Sequence, residues 1–556
     1  MERLEAYYFH EEEWDDYQDL YDSFEWQVPE EFNAADYVCD RWADADEERT
    51  ALYFEDDADT AESYTFADIR DEANRLANYL AAQGIERGDR IGVNLPQRPE
   101  TLMAHIAAWK LGAVSVPLST RFGPDALEYR LGDSGAKAAV IDASNIGPYR
   151  QMKDSLSDLD TTLTVGDVEV ADDETDFWEA IEEESADFEN ATTAAEDDLI
   201  IVYTSGTTGA PKGVRHAHRV LLGHLPSYLT AWCNLELNDD DVFFSPAEWA
   251  WVLVFDYVFP TMFYGLPQVA YDGGEFDPEA AFELIDRYDV TSYFAPPTAL
   301  RMMRAAGVET YDAETVRVVP TGGEPVGVDI VEWVDERFEG AVLNEVYGQT
   351  EANLLVGSCE ALMDVPIGKI GVEFPGHEVR LADQHDPSET VAPGEVGEFA
   401  AKYEGDPVCF KEYWNKPDKT EAKIRDGWVL TGDLGVKDED GYYSFHSRKD
   451  DVILTAGYRV GPSEIEESLA DHPAVANAGV IGVPDDERGE VPKAFVVLAG
   501  DDEPTEELKG ELKQYVKDNL AMYEYPRELE FIDELPKTVT DKVRRKDLRE
   551  REGLDD

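Results

Sequence analysis

Apolar residues recur along this chain at two spacings, one helical and one extended. Phe66, Ile69, Ala73, Leu76 and Leu80 follow a three-to-four-residue interval and predict a helix. Thr65 and Asp68 give it a capping-box start, and Gly84 marks its end. Residues 90–95, closed by Pro96, predict a strand, and residues 100–111 a second helix. Residues 113–116 and 138–141 predict further strands. Strands separated by helices imply βαβ units and a parallel sheet covered on both faces. Residues 166–198 are acidic and poor in apolar groups, which predicts a surface connection. The apolar run 199–203 predicts a buried strand.

The alternation then resumes, with a helix predicted over 279–288 and strands over 290–294 and 316–319. From about 371 to 440, short β-rich pieces punctuated by Gly and Pro predict a small β-subdomain. The last hundred residues form a compact mixed unit, with helices over 463–469 and 506–520 and strands over 478–481 and 494–498. Residues 249–266 are strongly apolar, but Asp256 and Pro260 interrupt them, whereas a membrane span wants about 20 clean residues. A buried, pocket-lining helix is expected there. No repeat of solenoid period is present.

Composition adds two constraints. A chain of 556 residues with 43% hydrophobic content implies two to four packed domains. Asp and Glu number 122 against 47 Lys and Arg, a formal net charge of −75 spread along the whole length. Such a surface repels nucleic acid and itself at ordinary salt. At molar salt the Debye length falls to about 3 Å and the repulsion is screened. The charge therefore reads as adaptation to a salt-rich cytoplasm, with a polyanionic interaction protein as the alternative. Cys39, Cys233, Cys359 and Cys409 are far apart and suggest neither zinc nor a disulfide framework. The first residues lack the basic and apolar regions of a signal peptide, so a cytoplasmic location is expected.

Candidate chemistry begins where the strand at 199–203 ends, in Tyr203-Thr-Ser-Gly-Thr-Thr-Gly-Ala-Pro-Lys-Gly-Val214. Glycines let backbone N–H groups approach an anion, and hydroxyls and Lys212 add donors for phosphate oxygens. This is not a Walker A loop. Counting from Gly206, Pro211 stands where that pattern needs Gly, and Gly213 follows Lys212 where it needs Ser or Thr. That mismatch argues against a P-loop phosphotransferase.

The segment matches every position of the phosphate loop Thr-Ser-Gly-Thr-Thr-Gly-x-Pro-Lys-Gly. It thus resembles the AMP-forming adenylating enzymes: acyl-CoA synthetases, luciferases and peptide-synthetase adenylation domains. Five further motifs resemble that family in order and spacing. They are Gly322-Gly-Glu-Pro325, Glu345-Val-Tyr-Gly-Gln-Thr-Glu351, Thr431-Gly-Asp433, Ser447-Arg-Lys-Asp-Asp-Val-Ile453 and Pro536-Lys-Thr-Val-Thr-Asp-Lys542.

The resemblance implies an α/β fold. A large N-terminal domain, residues 1–449, would hold doubly covered, mostly parallel sheets in subdomains of about 1–190 and 191–370, plus a β-subdomain of about 371–449. A small, mobile α+β lid, residues 450–556, would carry the catalytic lysine. The implied reaction joins a carboxylate to the α-phosphate of ATP, giving acyl-AMP and pyrophosphate, and then passes the acyl group to CoA. Negative charge crowds that transition state, so cations and donors must sit where it develops.

The family pattern then assigns roles. Lys542 would reach the carboxylate and the α-phosphate. Lys212 with Thr204, Ser205, Thr207 and Thr208, in the loop of Gly206 and Gly209, would hold the departing phosphates. Gly323, Glu324 and Pro325 belong to the adenine-binding turn, and Glu345, Tyr347, Gly348 and Gln349 to the motif that ends in Thr350 and Glu351. Thr350 would donate to the α-phosphate and Glu351 would ligate Mg²⁺, which favours oxygen ligands. Asp433 would accept from the ribose hydroxyls, with Arg448 supporting the same sugar.

The lid is expected to rotate about Asp450. One pose would deliver Lys542; the other would deliver Ala456, Gly457, Tyr458 and Arg459 to line the CoA arm, with Arg488, Tyr525 and Arg527 at further CoA positions. Asp541 departs from the glycine usual before the catalytic lysine. For the acyl pocket, the acetyl-CoA synthetase branch has Trp where this chain has Gly348 and Val where it has Gly322. A deeper pocket is expected, walled by Trp249, Trp251 and Val252, and the region looks most like medium-chain acyl-CoA synthetases. The residues themselves leave core packing equally open for Trp249 and Trp251. Acetate, propionate, branched acids and benzoate also stay open as substrates. Another thiol acceptor, such as a carrier protein, is the nearest alternative; a non-catalytic nucleotide-binding relative would have lost Lys542 or Glu351. The expected partners are small molecules, with no nucleic acid and no stable membrane insertion, for a monomer or homo-oligomer.

Overall fold

The computed structural model describes residues 3–58, 60–204, 210–324, 326–449, 451–455, 458–485, 489–500, 504–519, 525–538 and 542–554. The helix expected after Thr65 runs Phe66–Ala82, with the capping box formed in both directions. Pro99–Lys110 follows as a helix buried at every position. The predicted strands appear as Arg90–Asn94, Val114–Pro117, Ala136–Asp142 and Asp198–Thr204. Leu199 to Tyr203 are all buried, as a strand covered on both faces requires.

These strands build an eight-stranded sheet in the order Glu412–Tyr413, Lys212–Ala217, Asp198–Thr204, Val114–Pro117, Arg90–Asn94, Ala136–Asp142, Thr161–Val165, Thr175–Asp176. Its centre is parallel, while Lys212–Ala217 and Glu412–Tyr413 add antiparallel at one edge. A nine-stranded sheet has the same plan. Its parallel centre includes Val342–Gln349, Val318–Gly322, Gln268–Asp272 and Thr50–Asp56. Ala352–Gly357 and Ala61–Thr65 pair antiparallel towards its edges.

The two sheets interleave along the chain, so they do not follow a division at 190/191. Thr50–Asp56 joins strands that come after residue 240, and Asp198–Thr204 joins strands that come before residue 170. Pairing here is non-local, and no local pattern encodes it. Two local expectations also change. Within 166–198, Thr175–Asp176 extends the first sheet and Phe177–Ile181 is a helix capped by the Asp176 carboxylate. It buries Phe177 and Ile181, one helical turn apart, which is enough to fix a short helix in an otherwise polar stretch. Residues 249–266 are buried, save the half-buried Trp251 and Val252, but not one helix: Val254–Val258 is π-helical and Phe259–Phe263 α-helical, with Pro260 at the start of the second piece, where its missing N–H is tolerated.

The β-rich region forms an antiparallel sheet of Val379–Ala382, Val396–Lys402, Trp428–Lys437 and Ile424–Arg425, with Tyr443–Arg448 paired to Trp428–Lys437. The C-terminal unit packs the helices Pro462–Ala470 and Glu506–Asn519 on a second five-stranded sheet built around Gly489–Leu498 and Val475–Asp485. Among the described residues, no helix is long and apolar enough to cross a membrane. The four cysteines are free and buried.

Candidate functional site

The antiparallel edges of the sheets meet the β-sheet of 379–448, and the candidate side chains converge there. Thr204 and Lys212 are register partners at the end of a two-stranded ladder. The Lys212 ammonium lies 4.4 Å from the Tyr413 ring centre and donates to the Tyr413 hydroxyl at 3.3 Å. That hydroxyl in turn donates to Glu351 Oε1. Tyr413 arrives on the short edge strand Glu412–Tyr413, paired directly with Val214 and Arg215. Burial lowers the Lys212 pKa, with Glu351 opposing the shift.

Glu351 is 6% exposed. Burial disfavours its ionised form, but Lys423, the Tyr413 hydroxyl and Lys212 outweigh that and hold the carboxyl below its ordinary value. The Lys423 ammonium stands 4.0 Å from Glu351. Thr350 precedes Glu351, and its carbonyl accepts from His216 Nε2 at 2.7 Å. Among the described residues, no group of three or more His, Cys, Asp or Glu could enclose a metal ion. A single ionised carboxylate suits Mg²⁺, which keeps several waters and takes its other ligands from substrate phosphates.

Asp433 is register partner to Arg448, whose Nη1 donates to Asp433 Oδ1 at 2.8 Å. Tyr347 Oη donates to Asp433 Oδ2 at 2.9 Å, and Gln349 Nε2 to the same oxygen at 3.2 Å. Arg448 thus holds the carboxylate itself. Glu324 accepts from Thr298 at 2.8 Å and from Arg301 at 2.9 Å. Glu345 is pushed up to about 8 by burial, with Glu467 of the C-terminal unit adding to the shift.

Gly323 adopts φ +86°, a left-handed conformation that glycine takes without strain. A Cβ placed there would lie 3.7 Å from Lys542 Nζ. The exposed Lys542 side chain therefore reaches the turn at the end of the strand Val318–Gly322. A Cβ on Gly322 would fall 2.5 Å from the Val346 carbonyl oxygen, and one on Gly348 would fall 2.6 Å from Asn353 Oδ1. Both glycines permit close packing, and Asn353 occupies the volume beside Gly348.

Trp249 is 1% exposed and donates to Tyr257 Oη at 2.8 Å, which seats it in the core. Trp251 donates to Glu248 at 3.2 Å and meets Phe122 edge-on, while Val252 is half-buried beside it. Behind them Asn353 Nδ2 donates to Asp256 and stands 3.4 Å from His224 Nε2. Burial pushes the Asp256 carboxyl up to about 8 and His224 down to about 3. In the C-terminal unit, Tyr458–Val460 pairs with Ile453–Thr455, placing the backbone of Tyr458 and Arg459 on a sheet edge. The Arg527 guanidinium lies over the Tyr525 ring at 4.9 Å. Ser205, Gly206, Thr207, Thr208, Gly209, Pro325, Asp450, Ala456, Gly457, Arg488 and Asp541 lie outside the described residues.

Sequence reasoning missed Tyr413, Lys423 and the Asp256–Asn353–His224 cluster. Asp256 carried a signal, as an acid inside an apolar run, and Asn353 another, in Ala352-Asn353 where the family that the motifs resemble more often has Thr-Gly.

Comparisons with known proteins identify the family. The AMP-binding enzyme family matches residues 39–414, and the AMP-binding enzyme C-terminal domain matches residues 464–542. The chain is 35% identical to an uncharacterized acyl–CoA ligase of Bacillus subtilis (91% of this chain, 93% of the relative). It is also 35% identical to an acetyl-coenzyme A synthetase of the same organism (96% and 94%). A mitochondrial acyl-coenzyme A synthetase of Rattus norvegicus is 32% identical (94% and 91%). Among solved structures, an acyl-CoA synthetase of Brucella canis superposes with a TM-score of 0.73 at 34% identity (97% and 99%). An anthranilate CoA ligase in complex with anthranoyl-AMP superposes at 0.86 and 27% identity (95% and 98%). The chain belongs to the AMP-binding enzyme family, within the acyl-CoA synthetase superfamily of acid–thiol ligases.

Proposed function

We propose that this AMP-forming ligase activates a short- to medium-chain carboxylic acid and transfers it to CoA in a salt-rich cytoplasm. The observation that carries the reading is the approach of Lys542 to Gly323, beside the Lys212–Tyr413–Glu351 chain and the Arg448–Asp433 pair. The carboxylate oxygen attacks the α-phosphorus, and the bond to the bridging oxygen of pyrophosphate breaks. Lys542 stabilises charge on the attacking carboxylate and the α-phosphate. Lys212 and the hydroxyls of 204–208 receive the departing pyrophosphate, and Thr350 donates to the α-phosphate. Glu351 would hold Mg²⁺, which would neutralise phosphate charge when bound. Asp433 takes the ribose hydroxyls. The lid then turns about Asp450, and the thiol of CoA attacks the acyl carbon with AMP as leaving group. Tyr458, Arg459, Arg488, Tyr525 and Arg527 are the candidates for CoA contact.

Chain length turns on the wall formed by Gly348 and Asn353 with Trp251 and Val252. A related ligase holds anthranoyl-AMP, so aromatic acids belong among the substrates to try. The test is pyrophosphate release in molar KCl with ATP and Mg²⁺, using straight-chain acids from acetate to dodecanoate plus benzoate, with and without CoA. Sustained turnover peaking between butanoate and decanoate, and only with CoA, is expected. A peak at acetate would overturn the medium-chain assignment. A single burst indifferent to CoA would move the acceptor to another thiol, such as a carrier protein.

A further inference from the structure

Lys423 lies in the helix Pro417–Lys423, which joins the phosphate-side strand Glu412–Tyr413 to the strand that carries Asp433. Its side chain is 15% exposed. Its ammonium donates to Gln349 Oε1 at 2.6 Å and to the Thr431 carbonyl at 2.9 Å. A lysine has donors only, so the Gln349 atom facing it must be the carbonyl oxygen. That choice fixes the other end of the amide. Gln349 Nε2 is left to donate to Asp433 Oδ2 at 3.2 Å and to the Thr431 carbonyl at 3.1 Å. With Lys423 absent, Oε1 loses the ion that anchors it and the amide is free to swing away from the carboxylate.

We propose that Lys423 is a positioning residue for the nucleotide: by holding Gln349 Oε1 it aims the Gln349 amide nitrogen at Asp433 and presets that carboxylate for a ribose diol. The inference rests on the reading that Asp433 accepts the ribose hydroxyls. Asp433 already has donors on both oxygens, from Arg448 on Oδ1 and from Tyr347 and Gln349 on Oδ2. A carboxylate offers about four lone-pair sites, so the direction of each fixed donor decides which sites a diol can reach. Lys423 touches none of the reacting atoms in this scheme; it acts on Asp433 through Gln349, while its 4.0 Å approach to Glu351 bears on both nucleotides alike.

The test compares calorimetric binding of ATP and 2′,3′-dideoxy-ATP to the full chain in molar KCl with Mg²⁺. Wild type is expected to prefer ATP. Lys423→Met should weaken ATP binding about five- to ten-fold more than dideoxy-ATP binding, the range of one ordinary hydrogen bond, with any loss of support for Glu351 shared by both nucleotides. Lys423→Arg, which keeps a donor, should recover most of the preference. Equal weakening of both nucleotides would overturn the proposal and leave Lys423 a packing or phosphate residue; so would an unchanged ratio. A wild type with no preference would instead remove the Asp433 reading, and this proposal with it. If Lys423→Met does not fold, Gln349→Leu carries the test, with the same narrowed ratio expected and a wild-type ratio overturning the proposal.

Discussion

Tyr413 joins two charges of opposite sign. Its hydroxyl accepts from Lys212 and donates to Glu351, so a single neutral group spaces the ammonium from the carboxylate. Without it the two would be free to pair directly, and both would be withdrawn from phosphate and metal. Tyr413→Phe keeps the ring and the cation–π contact but removes the bridge. It is expected to lower the rate of pyrophosphate release about ten-fold, less than the roughly hundred-fold or more for a donor on the reacting atoms because Tyr413 acts through Lys212 and Glu351, while the apparent affinity for the carboxylic acid stays put. Steady-state assays varying each substrate separately check this. Wild-type kinetics would mean that the bridge is only packing.

Asp256 gives a second prediction at this scale, one of pH. Burial raises its folded-state pKa to about 8 from an ordinary 3.8. His224, pushed down to about 3, stays neutral across that window, and Asn353 donates to Asp256 throughout. The folded chain therefore keeps a proton between about pH 4 and 8 that the unfolded chain has released. Stability from this group is greatest below about pH 4 and falls as pH rises towards 8. Asp256→Asn keeps an acceptor for Asn353 and cannot ionise. Its stability relative to wild type should grow from pH 5 and level off above pH 8.5, reaching about 3 kcal/mol after allowing for relaxation around a buried charge. Denaturant unfolding at the two pH values measures it, and a pH-independent difference would place an ionised Asp256 in the native state.

At the scale of elements, what the sequence made legible was local. The helix Phe66–Ala82 shows both its apolar stripe and its cap, and Thr65→Ala should cost about 1 kcal/mol, read as a lowered midpoint in thermal unfolding. The strands at 90–94, 136–142 and 198–204 stand out because their centres, residues 91–93, 138–141 and 199–203, are buried on both faces and carry no charged residue. The phosphate-loop and C-terminal motifs are contiguous strings, so the family is readable from them. What was not legible needed a distant partner. Thr50–Asp56 pairs with Gln268–Asp272, about 215 residues later, and nothing in either strand names the other. Tyr413 and Lys423 sit in a segment whose spacing predicts only short β pieces; their importance comes from facing Glu351 and Gln349 across two sheets. Gly348 looked like open space because glycine has no side chain, yet Asn353, five residues on, fills that space by folding back along the adjacent antiparallel strand.

The whole molecule carries a net charge of −75, and the placement of that charge matters more than its sum. Where Lys542 reaches Gly323, the C-terminal unit also brings acids against acids. Asp471 is raised by burial and then by Asp329, with Arg301 and Arg304 opposing, and Glu467 raises Glu345. Glu345, raised first by burial, is mostly protonated near neutral pH, so the repulsion that salt reduces is that of Asp471 and Asp329, because the Debye length shrinks from about 10 Å at 0.1 M to about 3 Å at 1 M. Global unfolding and the approach of Lys542 should therefore both depend on salt. The melting temperature should rise with KCl and flatten near 1 M. Choline chloride should act nearly as well, since screening depends on ionic strength and not on the cation; a rise specific to potassium and continuing past 2 M would indicate bound cations instead. Asp471→Asn separates the two effects. It removes one charge of 75 from the global field but one partner of a two-acid contact. Its melting curve should follow that of wild type, whereas pyrophosphate release should lose part of its dependence on KCl between 0.2 and 1 M. If release keeps the full wild-type dependence, the acids at this contact do not govern the approach of Lys542, and the salt requirement belongs to the chain as a whole.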